Sequence, residues 1–445
     1  MRTKVSVSLP ILMLILFFHM QNSWAQGWRY RIIDSNFAGV HCSIALDLDG
    51  YPNICYTFSK YRGLWYAYED ISGWHTEPVD DVGVGKTSLV MDQSGNPHVA
   101  YYDDRWGICD LRYAIKVGTA WTIEVVDSYG VAGKHASIAI DSKGFPHIAH
   151  IHYYDGRNYL KYVWKDEAGW HGKTLWGSNS TWYHPSNCAI ALDALDRPFI
   201  TFFESKNLYL GWYDGSSWIK SLLRNDVDTG TGTSIAIDKR TGKICIAFNH
   251  EKNEDLVYGE NDGSGWSWIT LDSYGNVGDS PSVVLDYWGY PHIAYYDQQN
   301  RDVKYAHQDQ NGWHVETVAN YGYVGQWVDI ALNVVGEPHI CYFDDSNDDL
   351  MYAYPSSYGP QSFSLIAPEN GSWAVGDPFF LWYPSSYRGT RLANYELWVD
   401  GLAVVTDITP TRPFVSPELS LTDGWHTWKV KAVETTGNEI WSNET

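Results

Sequence analysis

Ser137-Ile138-Ala139-Ile140-Asp141-Ser142-Lys143-Gly144-Phe145-Pro146-His147-Ile148-Ala149-His150 is the stretch on which the fold turns. From Ser137 to Asp141, apolar side chains alternate with small or polar ones, the period-two texture of a strand. Ser142 to Pro146 carries Gly144 and Pro146 and reads as a turn. His147 opens a second strand. Tyr159-Leu160-Lys161-Tyr162-Val163 predicts a third, and Gly169-Trp170 to Leu175 a fourth. Four short antiparallel strands in succession make one propeller blade.

The same text recurs at a fixed spacing. Trp28, Trp74, Trp121, Trp170, Trp218, Trp266 and Trp313 stand in register, separated by 46, 47, 49, 48, 48 and 47 residues. A period of roughly 40–50 residues with strand texture between the marks predicts a β-propeller, one period per blade. The first-strand aspartate returns as Asp47, Asp92, Asp141, Asp193, Asp238 and Asp286, with Asn333 in the seventh copy. That copy supplies a second strand from Pro338 to Asp344 and a third from Leu350 to Tyr354. It then runs into Pro355-Ser356-Ser357-Tyr358-Gly359-Pro360 with no fourth. The missing strand is at the other end, where Gly27 to Asp34 reads as a fourth strand with nothing before it. The fold class expected is all-β: a seven-bladed β-propeller closed by the N-terminal strand, which leaves no free sheet edge, plus a C-terminal β-sandwich.

The first 25 residues stand apart. Arg2 and Lys4 precede an apolar run from Leu9 to Phe18, and Ser23-Trp24-Ala25 offers a small-x-small cleavage site. This is the pattern of a secretory signal peptide, and the run is short for a membrane span. The expected divisions are a signal peptide over 1–25, the propeller over 26–358 and a sandwich over 364–445. In the last, Phe380 to Trp382, Tyr395 to Val399 and Trp428 to Val433 read as short strands. The formal charge is −22. Such a surface repels phosphate backbones and anionic lipid, so nucleic acid is not an expected partner. Aromatic residues make up 16% of the chain, a composition compatible with a sugar-binding surface in an exported protein. Cys42 and Cys188 share one register position and Cys55 and Cys341 another, so the cysteines read as small buried residues and mostly free thiols. Their spacing matches no zinc site.

Recurrence separates scaffold from site. His98, His147, His292 and His339 each follow a proline at one register position. They read as buried imidazoles bridging a serine or aspartate of one strand and an indole N–H of another. The turns Asp47-Leu48-Asp49-Gly50 and Asp92-Gln93-Ser94-Gly95 read as Asx-type turns. No cofactor is expected. Calcium at such loops or at Asp344 to Asp349 has no EF-hand spacing behind it.

The pattern breaks most in blades three and four. Blade three reads Ala149-His150-Ile151-His152-Tyr153-Tyr154-Asp155-Gly156-Arg157 where its siblings read Ala-Tyr-Tyr-Asp, and His135 stands just before its first strand. The loop into blade four carries Trp182, Tyr183 and His184. Register places His135, His150 or His152, Arg157, Tyr183 and His184 around one mouth, with His41 and Lys86 equivalent to His135 and Glu204 after blade four's second strand. Three readings follow. The residues are polar loop positions of a scaffold. Or they form a sugar pocket, with Tyr153, Tyr154, Trp182 and Tyr183 stacking on sugar rings and His, Arg and Glu contacting hydroxyls. Or they are catalytic, with a His or Tyr taking the proton beside a uronic acid carboxylate that Arg157 neutralises. The chain lacks Gly-x-Ser-x-Gly, HExxH and a phosphate-cradling loop, which argues against serine hydrolase, zinc protease and nucleotide chemistry.

The repeat Ser-Ile-Ala-Ile-Asp-x-x-Gly-x-Pro-His-Ile-Ala, carried by Ser137 to Ala149, resembles that of BNR-type propellers of the sialidase-like superfamily. These include lectins and polysaccharide lyases such as ulvan lyases. The resemblance covers 27–354 and implies a carbohydrate ligand. Such lyases carry a His before a first strand and another after the following one. His135 and His152 follow that layout, and Tyr183 falls where the next blade supplies a tyrosine. The sequence departs from the pattern at Glu204 and Lys206, where no arginine stands. The Asp-box Ser-x-Asp-x-Gly-x-x-Trp and the arginine triad of true sialidases are also not evident. The segment 364–445 resembles the fibronectin type III-like modules of bacterial secreted proteins. The function expected is carbohydrate recognition by a secreted protein at the axial face near blades three and four. The alternatives are a polysaccharide lyase or glycoside hydrolase at the same mouth, and a non-catalytic protein-interaction scaffold.

Overall fold

The computed structural model describes residues 27–35, 37–58, 63–70, 72–82, 84–105, 108–177, 185–227, 232–334 and 336–355. Farther on it describes 365–367, 380–382, 392–408, 414–415, 417, 426–434 and 439–442. The signal-peptide reading of 1–25 lies outside these residues, as do Trp182, Tyr183 and His184. Every regular element among the described residues is a strand.

Residues 28–355 form seven four-stranded antiparallel sheets, an arrangement consistent with a β-propeller. In sheet three, Val131–Ile140, Pro146–Tyr154, Arg157–Asp166 and Gly169–Gly177 pair in sequence order. The first strands of the others are Ala38–Leu46, Val84–Met91, Ser186–Leu192, Thr233–Ile237, Val277–Leu285 and Val324–Leu332. Sheet seven takes its outer strand from the chain start: Trp28–Asp34 pairs antiparallel with Asp349–Pro355, placing Trp28 opposite Pro355 and Ile32 opposite Met351. First strands of consecutive sheets touch, and the first strand of sheet one touches that of sheet seven.

Two devices join neighbouring sheets. The first is aromatic and explains the tryptophan period. Six of the seven periodic indoles rest edge-on against the third-strand tyrosine of the sheet before them: Trp121 on Tyr66 at 5.1 Å, Trp170 on Tyr113 at 5.3 Å, Trp218 on Tyr162 at 5.1 Å and Trp313 on Tyr258 at 4.9 Å, while Trp266 stacks on Trp268 instead. Trp28 packs on Tyr305 of sheet six, and Trp74 of sheet one on Tyr352 of sheet seven. Edge-to-face pairs add about 0.5–1.5 kcal/mol each beyond the area they bury. The second device is polar. A first-strand serine accepts a backbone N–H from the next sheet: Ser43 from Leu89, Ser88 from Ile138, Ser137 from Ile190 and Ser234 from Val283. At the seam between sheets seven and one the serine is replaced by Asp329. Its carboxylate accepts from Ile44 N at 3.0 Å, Ser43 Oγ at 2.8 Å, Ser282 Oγ at 2.6 Å and Ile330 N at 3.0 Å.

The recurring histidines are internal struts, with a partner different from the indole expected. Nδ1 of His98, His147, His292 and His339 accepts from the hydroxyl of Tyr113, Tyr162, Tyr305 and Tyr352. In the first three, Nε2 faces the turn aspartates Asp92, Asp141 and Asp286. The tyrosine stands on the third strand, two residues before the histidine's register partner there. Two of the indole N–H groups go instead to fourth-strand glutamates, Trp121 to Glu77 and Trp170 to Glu124. All six cysteines are free thiols, five of them buried.

In the C-terminal part, one sheet pairs Leu365–Ala367, Phe380–Trp382 and Phe414–Val415. A second pairs Leu402–Ile408, Leu392–Val399, Trp428–Glu434 and Glu439–Trp441. Phe380 and Trp382 of the first share one apolar core with Tyr395, Leu397, Trp428 and Val430 of the second.

Candidate functional site

The seven first strands surround one cavity of 390 Å³. Its lining follows from a backbone feature that repeats around the ring. In sheets one, three, four, six and seven the pairing of first and second strand slips beside a residue with left-handed φ: His41 (53°), His135 (52°), Asn187 (44°), Ser280 (49°) and Trp327 (52°). Lys86 and Gly232 hold this position in sheets two and five, and all seven line the cavity. Non-glycine residues in that region cost roughly 1–3 kcal/mol each, and such strain concentrates where a side chain must be aimed.

Three of the five strained residues are held from behind. Thr87 Oγ1 donates to the carbonyl of His41, Cys188 Sγ to that of His135 at 3.3 Å, and Cys42 Sγ to that of Trp327 at 3.1 Å. Each donor belongs to the next sheet and sits one residue after that sheet's own cavity residue. The cysteines thus work as small buried donors.

The cavity combines one aromatic wall with a polar ring. His41 meets Trp327 edge-on, ring centroids 4.8 Å apart. Its Nδ1 is buried and has no hydrogen-bond partner among the described residues. Burial and the nearby Lys86 ammonium pull the His41 pKa down to about 4. His135 is likewise held at about 4, by burial first, then by Lys86, Lys134 and His41. Both rings are therefore neutral at pH 7 and can each donate and accept one hydrogen bond. Lys86 lies deep in the ring yet keeps an exposed side chain, because it extends into the cavity. Burial lowers its pKa, against the opposing pull of Cys188, Asp329 and Asp279.

Of the residues named from sequence, His41, Lys86 and His135 meet in this cavity; His152, Arg157 and Glu204 are not among its lining. His150 and His152 are buried near Asp127, at 3.5 and 3.6 Å, together with Lys161. His150 replaces a tyrosine. Its counterparts Tyr56, Tyr101 and Tyr295 donate to Asp34, Asp80 and Asp272, each closing the preceding sheet. His150 Nδ1 instead accepts from Gly133 N. Arg157 opens the third strand of sheet three, opposite Tyr154. Tyr153 and Tyr154 are exposed, and Tyr154 packs against exposed Tyr129 with centroids 4.6 Å apart. Glu204 is buried and ion-paired with Lys220, whose ammonium lies 4.2 Å from the Tyr209 ring centre.

Asn187, Ser280 and Trp327 were not singled out from the sequence. The signal was available: His41, Lys86 and His135 were recognised as one register position, and carrying that position through the other copies reaches all three. Among the described residues no group of three or more His, Cys, Asp or Glu is placed to hold a metal ion, and no helix is long and apolar enough to cross a membrane.

No protein-family description and no curated protein matches the chain. Solved structures do. A SapL1 lectin in complex with α-methyl fucoside aligns at 11% identity and TM-score 0.48, over 65% of this chain and 98% of that one. The polysaccharide lyase Uly1 aligns at 11% identity and TM-score 0.46, over 75% and 93%. The NanB sialidase of Streptococcus pneumoniae aligns at 12% identity and TM-score 0.43, over 73% and 70%. At these identities and scores none of them bears on function here.

Proposed function

We propose that the chain is a secreted, seven-bladed β-propeller, sealed by its N-terminal strand and followed by a fibronectin type III-like sandwich, that recognises carbohydrate in the axial cavity. One observation carries the reading: six first strands present a non-glycine side chain into a single 390 Å³ space from one register position, five of them through left-handed backbone. A cavity of a few hundred Å³ with one aromatic wall and several convergent polar groups suits a small polar ligand. A sugar ring offers an apolar face for Trp327 and hydroxyls for His41, His135, Asn187 and Ser280. The exposed Tyr129, Tyr153 and Tyr154 give a longer glycan a further surface near blade three.

The catalytic reading of the same mouth asks for a base titrating near the working pH. His41 and His135, both near 4, serve better as neutral hydrogen-bonding groups. A glycan array followed by titration of the best ligand tests the proposal. Trp327→Ala should weaken binding at least tenfold without unfolding the ring. Unchanged affinity would move the ligand elsewhere. Release of unsaturated product from a uronic-acid polysaccharide, seen by ultraviolet absorbance, would instead favour the lyase.

A further inference from the structure

Lys86 is the only lysine or arginine lining the axial cavity, and it makes no hydrogen bond or ion pair among the described residues. The chain's other interior cations behave differently. Arg112 pairs with Asp80 and Asp103, Lys161 with Asp127, Lys220 with Glu204 and Lys304 with Asp272. A chain with 31 lysines and arginines against 53 acids has carboxylates to spare, yet among the described residues none forms an ion pair with Lys86, and Asp329 and Asp279 act on it only at longer range. The nearby acid at the cavity floor, Asp329, already accepts four hydrogen bonds. Asp279 takes the hydroxyl of its neighbour Ser280.

An ammonium that lines a cavity and is given no ion-pair partner favours whatever anion enters beside it. Its surroundings suit one. His41, neutral and with an unpartnered buried Nδ1, stands at the equivalent position on one side, and His135 at that on the other. Either ring can supply an N–H next to the ammonium. We propose that the group the axial cavity takes beside Lys86 is an oxyanion, a carboxylate or a sulfate ester, held by the Lys86 ammonium with hydrogen bonds from the flanking imidazoles. The proposal rests on the axial cavity being the ligand site and names the chemistry of what enters it. Nothing covalent is involved.

The test uses the whole exported chain. Thermal unfolding is followed in sodium sulfate and in sodium acetate, each against sodium chloride at equal ionic strength, for the wild type, Lys86→Gln and, as a control on an exposed charge, Lys143→Gln. The expected result is that at least one of the two anions stabilises the wild type and Lys143→Gln more than Lys86→Gln, which keeps only the non-specific salt effect. Comparing the two salts distinguishes sulfate from carboxylate. On a glycan array, acidic sugars should lose about 10- to 100-fold in affinity on Lys86→Gln, the usual worth of a hydrogen bond to a charged group. Equal stabilisation of all three proteins by both anions would overturn the proposal. So would acidic sugars bound equally by wild type and Lys86→Gln, although carbohydrate recognition would then stand. An anion effect that depends on Lys86 in a protein binding no glycan would keep the anion site and remove the sugar.

Discussion

Asp329 offers the sharpest test of how the ring is sealed, because five of its six counterparts are serines, the sixth being Ala189. Consider Asp329→Ala beside Asp329→Ser. In alanine, the Ile44 N–H and the Ser43 and Ser282 hydroxyls lose their acceptor at a buried seam. A buried donor left unsatisfied costs about 1–3 kcal/mol; with the hydroxyls free to turn, the sum is about 3–4 kcal/mol. Serine restores the arrangement in which Ser43 takes Leu89 N, and it also removes a desolvated carboxylate. Its cost should stay within about 1 kcal/mol, so the two variants should differ by about 2–3 kcal/mol. Equilibrium urea unfolding followed by tryptophan fluorescence reads this difference as separated midpoints. A pH series adds a sign. Burial holds the Asp329 pKa above its usual 3.8, so the folded state binds the proton more tightly than the unfolded chain. Wild-type stability then falls, relative to Asp329→Ser, as pH rises from 3.8 toward the raised value. Coincident midpoints for the alanine and serine variants would refute the reasoning: sheets one and seven would not lean on this bond.

Three further expectations follow from the same structure. Deleting residues 27–34 removes the outer strand of sheet seven and the Trp28–Tyr305 contact, so the melting temperature should fall sharply; an unchanged melting curve would contradict the pairing. His41 and His135 have folded pKa values of about 4, below their unfolded 6.5. Their stability contribution is complete above pH 6.5 and is lost as pH falls toward 4, by about 1–2 kcal/mol per ring after screening by cavity water. His41→Asn with His135→Asn should flatten that limb of the pH–stability curve, and an unaltered slope would place the titration elsewhere. Asp302 is raised to about 6, by burial first and then by Asp297. Its penalty sets in as pH rises from 3.8 to 6, so Asp302→Asn should stabilise by roughly 1 kcal/mol at pH 7 and by nothing below pH 4; denaturation at the two pH values checks this.

The ring was legible because its marks are large and do one job. Trp74, Trp121, Trp170, Trp218 and Trp313 recur because each must reach a tyrosine of the sheet before it, and no smaller side chain spans that gap. The unpaired strand at Gly27 to Asp34 was legible because the sequence of the seventh copy runs from its third strand into Pro355-Ser356-Ser357-Tyr358-Gly359-Pro360 with no fourth-strand pattern. The cavity was legible only in part. His41, Lys86 and His135 share a register position, but the left-handed bulge that aims His41 and His135 is marked by no glycine at either residue. The same position holds Asn187, Ser280 and Trp327, whose residue types give no shared signal. His150 and His152 drew attention as breaks in a pattern. The structure places them by Asp127, where His150 stands in for a tyrosine that joins sheets elsewhere. The aspartate at the seam was hidden because Asp329 stands in a series of small residues, five serines and Ala189.

The claim that the axial cavity is the ligand site is met most directly by a crystal structure of the chain with its best array ligand bound. The account predicts electron density for a sugar between Trp327, His41 and His135, with an anionic group beside Lys86. Density confined to the outer surface around Tyr129 and Tyr154, with the axis holding only solvent, would contradict it.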